Sequence, residues 1–403
     1  MTSQILSFTQ QVKAPLGEAY RAFTNATALR EWLCDVATLL VHPGGRIYLA
    51  WNKGYYTSGE FTAVTPKEKL EFTWQGRGEP GSSLVRVSFA GKDGGTLVTL
   101  EHSGIGTGEA WSKSMVEIEK GWKVGLENLA SVLESGEDLR LVRRPMLGIT
   151  LGTFNADKAM EINVPITEGI LLDGVLKDMG AEAAGLQKDD VLVSMAGKTA
   201  TDFNSLGIVL DDFHGGDKVE VVFYRGPEKK TVMMELSKRP IPDIPKSAKE
   251  LAASVQKIID QVNTDLDAFL LGVNEGEAAF KPSPEEWSLK EVIAHFLQGE
   301  RFTHQFISDL VFSQERVSDG YGENLSAYIE ATVEAYPTLN DLVLELKRNF
   351  AETVGILERL PEEFVERKSS FWRLSYNMLQ DPYHYFSHKD QMQAALDMAR
   401  SKK

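Results

Sequence analysis

The sequence predicts a multidomain protein in which an α+β domain is followed by a smaller second unit and then by an all-α four-helix bundle. Three observations lead there. At 403 residues the chain exceeds what one hydrophobic core usually supports. Its apolar residues alternate with period two in the first third and step by three or four in the last third. Three prolines fall within 240–245, a stiff, extended linker between parts that fold separately.

Residues 1–138 form the first domain. In "KLEFTW" Leu70, Phe72 and Trp74 share one strand face, and in "VRVSF" Val85, Val87 and Phe89 do the same. From Ser112 the period changes, and Met115, Ile118, Trp122, Leu126, Leu129 and Leu133 mark an amphipathic helix long enough to cross a sheet. A helix over a curved antiparallel sheet leaves an interior space lined by facing side chains. The stretches "VKAPLGEAYRAFTNATALREWL", "HPGGRIYLAW", "GEFTAVTPKEKLEFTW", "GGTLVTLEHSG" and "GWKVGLENLASVLESG" resemble the SRPBCC superfamily, in its heat-shock ATPase activator branch. The resemblance implies a START-like helix-grip fold whose cavity receives an apolar small molecule or whose surface binds protein. Trp51, Trp74, Trp111 and Trp122 are the candidate cavity-lining residues; the simpler alternative is that they are ordinary core. His102 shares strand parity with Val98 and Leu100 and reads as a hydrogen-bonded core histidine without a catalytic role.

Residues 143–239 form the second unit. "RRPMLGITLG", "AEAAGLQKDDVLVSMAGK" and "GGDKVEVVFYRGPEKKTVMMEL" resemble a bacterial PDZ domain, with Ala196-Gly197 at the tight turn. The resemblance implies a small, mostly-β fold that adds a peptide strand to a sheet edge and receives its terminal carboxylate on backbone amides. Those amides would be Leu147, Gly148 and Ile149, and the apolar side pocket would draw on Leu206 and Leu210. The partner so implied is a protein C-terminal peptide with an apolar last residue. Arg143 and Arg144 stand just upstream, either to attract that carboxylate or as solvated linker charges. No serine-protease domain precedes residue 143, so proteolysis does not follow.

After a Pro-rich linker at 240–246, residues 247–401 are helical in pattern, with helices expected at about 247–272, 289–313, 325–335, 338–360 and 382–401. Ser288 and Glu291 form a capping box that starts one of them. On it Val292, His295, Gly299, Phe302 and Phe306 share an inward stripe, while His304 should face outward. Asp381 and Pro382 suit the start of the last helix, which would set His384 and His388 one turn apart on one face. "WSLKEVIAHFLQGERF", "LVLELKRNFAETVGILERLPEEF" and "HYFSHKDQMQAAL" resemble the DinB/YfiT-like superfamily. The resemblance implies a divalent metal, nickel or zinc, on His295, His384 and His388. Tyr385 stands where a zinc protease would carry its glutamate, so that chemistry is not implied. The alternative is a buried polar cluster bridged by water.

Composition narrows the function. The 42% apolar and 25% charged shares are those of a globular protein. A formal charge of −15 leaves no basic surface for nucleic acid. One cysteine, Cys34, rules out an internal disulfide and points to a reducing, cytoplasmic setting. No membrane-spanning run is present in the sequence. Two readings remain from the resemblances: they imply either a multidomain binding or adaptor protein, related to stress, or a metal-dependent thiol S-transferase or hydrolase acting through the three histidines. A homodimer is expected of a bundle of this type; no catalytic residue is assigned.

Overall fold

The structure is a computed structural model that describes residues 4–52, 54–315, 326–380, 385 and 388–402. The chain forms two compact units, one built from Met1–Glu137 together with Pro242–Lys403 and the other from Asp138–Ile241. The first and last thirds of the sequence therefore share one body.

In the first third, β1 (Gln4–Val12) leads into α1 (Leu16–Thr24) and α2 (Ala26–Trp32). Six strands follow: β2 (Val36–Leu39), β3 (Arg46–Ala50), β4 (Tyr56–Thr65), β5 (Lys69–Gly76), β6 (Ser83–Lys92) and β7 (Gly95–Ile105). The long helix α3 (Glu109–Glu134) closes the segment. The seven strands make one antiparallel sheet in the order β1-β7-β6-β5-β4-β3-β2. Strand alternation turns Leu70, Phe72, Val85 and Val87 to one face, where Ile118, Leu126 and Leu129 of α3 complete the core. Each such burial is worth about 1.5–3 kcal/mol, which is why the helix lies across the sheet in a helix-grip α+β arrangement. Asn25 breaks α1 from α2: its extended backbone stops one helix, and its side chain accepts from the Ala28 amide to cap the next.

The unit Asp138–Ile241 contains α4 (Leu139–Val142), β8 (Ile149–Gly152), α5 (Ala156–Glu161), β9 (Ile170–Val175), α6 (Gly180–Ala183), β10 (Val191–Met195) and β11 (Lys198–Thr199). It ends with α7 (Phe203–Leu210), β12 (Lys218–Arg225) and β13 (Glu228–Glu235). The sheet order is β13-β12-β10-β9-β8, with β11 beside β10. Ala196 and Gly197 join β10 to β11 with φ of 49° and 74°, the pair of left-handed residues that a two-residue hairpin needs. Asp190, 1% exposed, holds the Arg225 guanidinium through two contacts of 2.8 Å and so ties the start of β10 to the end of β12.

The last third is helical: α8 (Ala248–Leu270), α9 (Glu275–Ala278), α10 (Leu289–Phe312), α11 (Ser326–Ala335), α12 (Leu339–Glu358), α13 (Glu362–Val365), α14 (Lys368–Gln380) and a final helix Lys389–Ser401. Ser288 and Glu291 cap α10 reciprocally. Helix α14 has no counterpart in the sequence-based reading. Asp381, Pro382 and His384 lie outside the described residues, and His388 occupies the position just before the final helix rather than one inside it.

A polar seam joins α2 and α14. Glu31, 4% exposed, accepts hydrogen bonds from the hydroxyls of Ser369 (2.6 Å) and Ser370 (2.5 Å). Arg30 and Arg373 both grip Glu315, at 2.8 Å and 2.7 Å. Arg21 donates to Ser313 Oγ at 2.8 Å, and Lys368 Nζ donates to the Glu134 carbonyl at 2.7 Å. A buried carboxylate is tolerated only with such donors around it.

Candidate functional sites

The bundle holds a cavity of about 640 Å³ between α8, α10 and α12. Its lining on α10 runs from His295 to Asp309, about 21 Å at 1.5 Å per residue. Phe296 and Tyr385 line it beside His295. The His295 and His388 rings stand edge to face with centroids 5.1 Å apart, and the Trp287 ring is tilted against His295 at the same centroid distance. The Nδ1 of His388 lies 2.8 Å from Gln391 Oε1. An amide oxygen only accepts, so Nδ1 carries a proton and donates it to Gln391.

That arrangement suits a metal ligand. Two imidazoles sharing one ion at nitrogen–metal distances of about 2.0–2.1 Å have ring centres about 5 Å apart. An outer hydrogen bond that fixes the tautomer is the usual companion of a ligating histidine. His384 lies outside the described residues, and among the described residues no group of three metal-ligating side chains is assembled. Tyr385 is buried, and burial first, then the nearby Asp265 and Asp267 carboxylates, push its phenol up to about 12, so it stays protonated. His304 does not face outward as expected: it is half-buried, and its Nε2 lies 2.8 Å from Thr353 Oγ1 on α12. No pattern in the sequence pointed to Thr353. Gln391 could have been found, since it stands one helical turn beyond His388.

In the helix-grip core, Trp74 and Trp122 are 5% and 3% exposed with centroids 5.5 Å apart, while Trp51 and Trp111 are half-buried at the margin of the same core. Trp51 Nε1 donates to the Leu33 carbonyl at 2.7 Å. His102 is fully buried. Trp122 Nε1 donates to its Nδ1 at 3.0 Å, so the ring proton sits on Nε2 and points at Ser83 Oγ, 2.7 Å away. Desolvation lowers the His102 pKa to about 4, and the ring stays neutral. The residue is a satisfied structural histidine. Sequence reading missed Glu79, whose buried carboxylate accepts from Tyr55 (2.7 Å), Trp74 (3.2 Å) and the Gly76 amide (2.9 Å).

In the middle unit, β8 ends the strand order, and Leu147–Ile149 lead into it. Gly148 has φ of 78°, and a Cβ there would meet Met179 Cβ at 2.3 Å, so only glycine fits. The carbonyls of Leu147 and Gly148 are taken by the amides of Ala181 and Leu176, at 2.9 and 2.8 Å. Leu147, Leu206 and Leu210 are buried in one cluster, with Ile149 packed against it. Arg143 and Arg144 are exposed, and a Cβ on Gly207 of α7 would come within 3.3 Å of Arg144 Nη2.

Residues 13–134 match the family described as Activator of Hsp90 ATPase homolog 1-like protein. Among curated proteins, a probable periplasmic serine protease do/HhoA-like from Haemophilus influenzae is 30% identical over 156 residues, which are 36% of this chain and 32% of that protein. The chain spans about a third of the length of the curated relatives it matches. Among solved structures, an HSP90 activator from Plasmodium falciparum is 26% identical, covering 32% of this chain and 95% of that one, with a TM-score of 0.29. The Aha1 dimer from Colwellia psychrerythraea is 20% identical, covering 33% of this chain and 97% of that one, with a TM-score of 0.29. No described helix is long and apolar enough to cross a membrane. Residues 13–134 thus form an Hsp90-activator-like domain of the SRPBCC kind, with the helix laid over the sheet as described above.

Proposed function

We propose that the protein is a cytoplasmic, stress-related adaptor that captures protein C-termini on its middle unit. The observation that carries this is the edge strand β8 entered through Gly148, with Leu206 and Leu210 below it and Arg144 alongside Gly207. A peptide adding to that edge as a PDZ ligand would pair its backbone with β8 and leave its last side chain over the leucines. The terminal carboxylate would meet the Leu147–Ile149 amides, with Arg144 adding charge. The Hsp90-activator-like domain supports a role beside a heat-shock ATPase, and the buried, lone Cys34 accords with a reducing compartment. Fluorescence anisotropy with labelled peptides ending in leucine tests the reading. Binding should weaken at least about tenfold when the carboxylate is amidated and severalfold in Arg144→Glu. Equal affinity for free and amidated peptides would sink it.

The His295–His388 pair favours a second reading, in which the bundle is DinB-like and holds nickel or zinc on His295, His384 and His388. A divalent ion bound there would supply Lewis-acid activation of a water or a thiol. Gln391 would keep His388 in the ligating tautomer, Tyr385 would offer a protonated phenol, and the cavity walls would exclude water. Metal analysis of untagged protein, followed by titration with low-molecular-weight thiols, separates the two. Stoichiometric metal with turnover lost in His295→Ala supports a transferase or hydrolase; metal without turnover leaves the bundle a binding module.

A further inference from the structure

Helix α14 is buried on two sides. Phe371, Leu374 and Met378, spaced three and four apart, pack with Leu251 and Val255 of α8, Leu310 of α10 and Leu357 of α12. Ser369, Trp372, Arg373 and Tyr376 follow the same spacing on another side of the helix. Trp372 and Tyr376 are buried there and stack with ring centroids 5.0 Å apart. That side meets the helix-grip domain, since Ser369 and Ser370 hold Glu31 of α2, and Arg373 grips Glu315 together with Arg30 of α2.

A second junction lies at the end of α10. The Ser313 hydroxyl accepts from Arg21 of α1 and from Arg367 just before α14, and Arg367 also donates to the Val311 carbonyl at 2.6 Å. The Ser313 carbonyl accepts from Asn25 Nδ2 at 3.2 Å, and the Glu315 amide donates to Thr27 Oγ1 at the same distance. The α1–α2 corner of the helix-grip domain is therefore bound to two helices of the bundle at once. Opening the bundle carries α14 away, which uncovers the Trp372 and Tyr376 side and takes both hydroxyl donors from Glu31.

We propose that the helix-grip domain and the bundle are one cooperative unit, coupled through α14 and the end of α10, so that whatever loosens or tightens the bundle is felt in the sheet. Domains joined by a small hydrated contact move and open independently; a helix buried on both sides belongs to two cores and cannot leave one alone. Coupling of this kind is reciprocal, so a partner held by the helix-grip domain and a ligand held by the bundle change each other's affinity through the same junction.

Hydrogen exchange of the full-length chain in low urea, read by mass spectrometry at the most protected amides of β6, β7 and α10, tests this without any ligand. In the native protein these amides should open with one free energy and one urea dependence. Leu342→Ala removes a fully buried side chain from a bundle cluster that α14 does not join, and should speed exchange in α10 by about a hundredfold or more. The same factor should appear in β6 and β7. Leu100→Ala, in the helix-grip core, should carry its effect into α10 in the same way. In a Glu31→Ala, Arg373→Ala background the Leu342→Ala effect should stay in α10 and leave the sheet unchanged, which a seam that only adds stability would not produce. Thermal melts establish that this background is folded, and Arg21→Gln with Arg367→Gln is the milder variant should it not be. Different opening energies in the native protein, a Leu342→Ala effect confined to the bundle, or transfer that persists without the seam contacts would each overturn the proposal.

Discussion

His102 in the helix-grip core and His388 beside the bundle cavity are treated in opposite ways by their surroundings. Trp122 and Ser83 occupy both nitrogens of His102, and burial takes away its charge. Gln391 fixes one nitrogen of His388, and the ring stands beside another imidazole that lines the cavity. Where protein satisfies both ring nitrogens in a core, the histidine is structure; the ring set against a second histidine beside a cavity is the one for which we propose binding.

Removing the ring is the sharpest way to break this contrast. His102→Ala leaves a hole and strips the buried Trp122 Nε1–H of its acceptor, and should cost about 3–5 kcal/mol in denaturant unfolding with an unchanged m value. A cost under about 1 kcal/mol would show that the core does not depend on it. Titration comes next. The folded pKa of about 4 lies below the unfolded value of about 6.5, so the unfolded chain takes up the proton first. The stabilisation is complete above pH 6.5 and is lost progressively as the pH falls toward 4, by about 3 kcal/mol. The difference in stability between the native protein and His102→Gln should shrink over that window; a constant difference contradicts a neutral, buried ring.

Smaller effects test the other side. Gln391→Ala should lower zinc or nickel affinity about tenfold, read by competition with a chromophoric chelator, because Nδ1 then has no fixed acceptor. Unaltered affinity would remove His388 from the ligand set or Gln391 from its support. The smallest expected change is in stability: His388→Ala, at a half-buried ring before a helix, should shift unfolding by less than about 1 kcal/mol in metal-free protein. A shift as large as that of His102→Ala would make the two histidines alike.

Period-two alternation placed Leu70, Phe72, Val85 and Val87 on one face because a strand with one buried side has little choice. The Ser288–Glu291 cap was equally legible, being an interaction of near neighbours. Helix α14 was not. Ser369, Ser370 and Ser375 are buried beside Phe371, Trp372, Leu374 and Tyr376, so hydroxyl residues occupy inward positions of a helix packed between bundle and helix-grip domain and blur its apolar period. His304 was misjudged because an angular projection of α10 contains no α12, and it is Thr353 of α12 that draws the ring inward.

By itself the sequence determined the local periods, the caps and turns, and the type of the helix-grip domain, since these depend on residues a few positions apart or on one face of one element. Only the tertiary structure decided which distant groups meet. Glu31 finds Ser369 and Ser370 more than three hundred positions away, and His304 finds Thr353 on a different helix, 49 positions along the chain. A buried polar atom must be partnered by whatever packing brings within 3 Å, and packing is a property of the folded body, not of the order of residues.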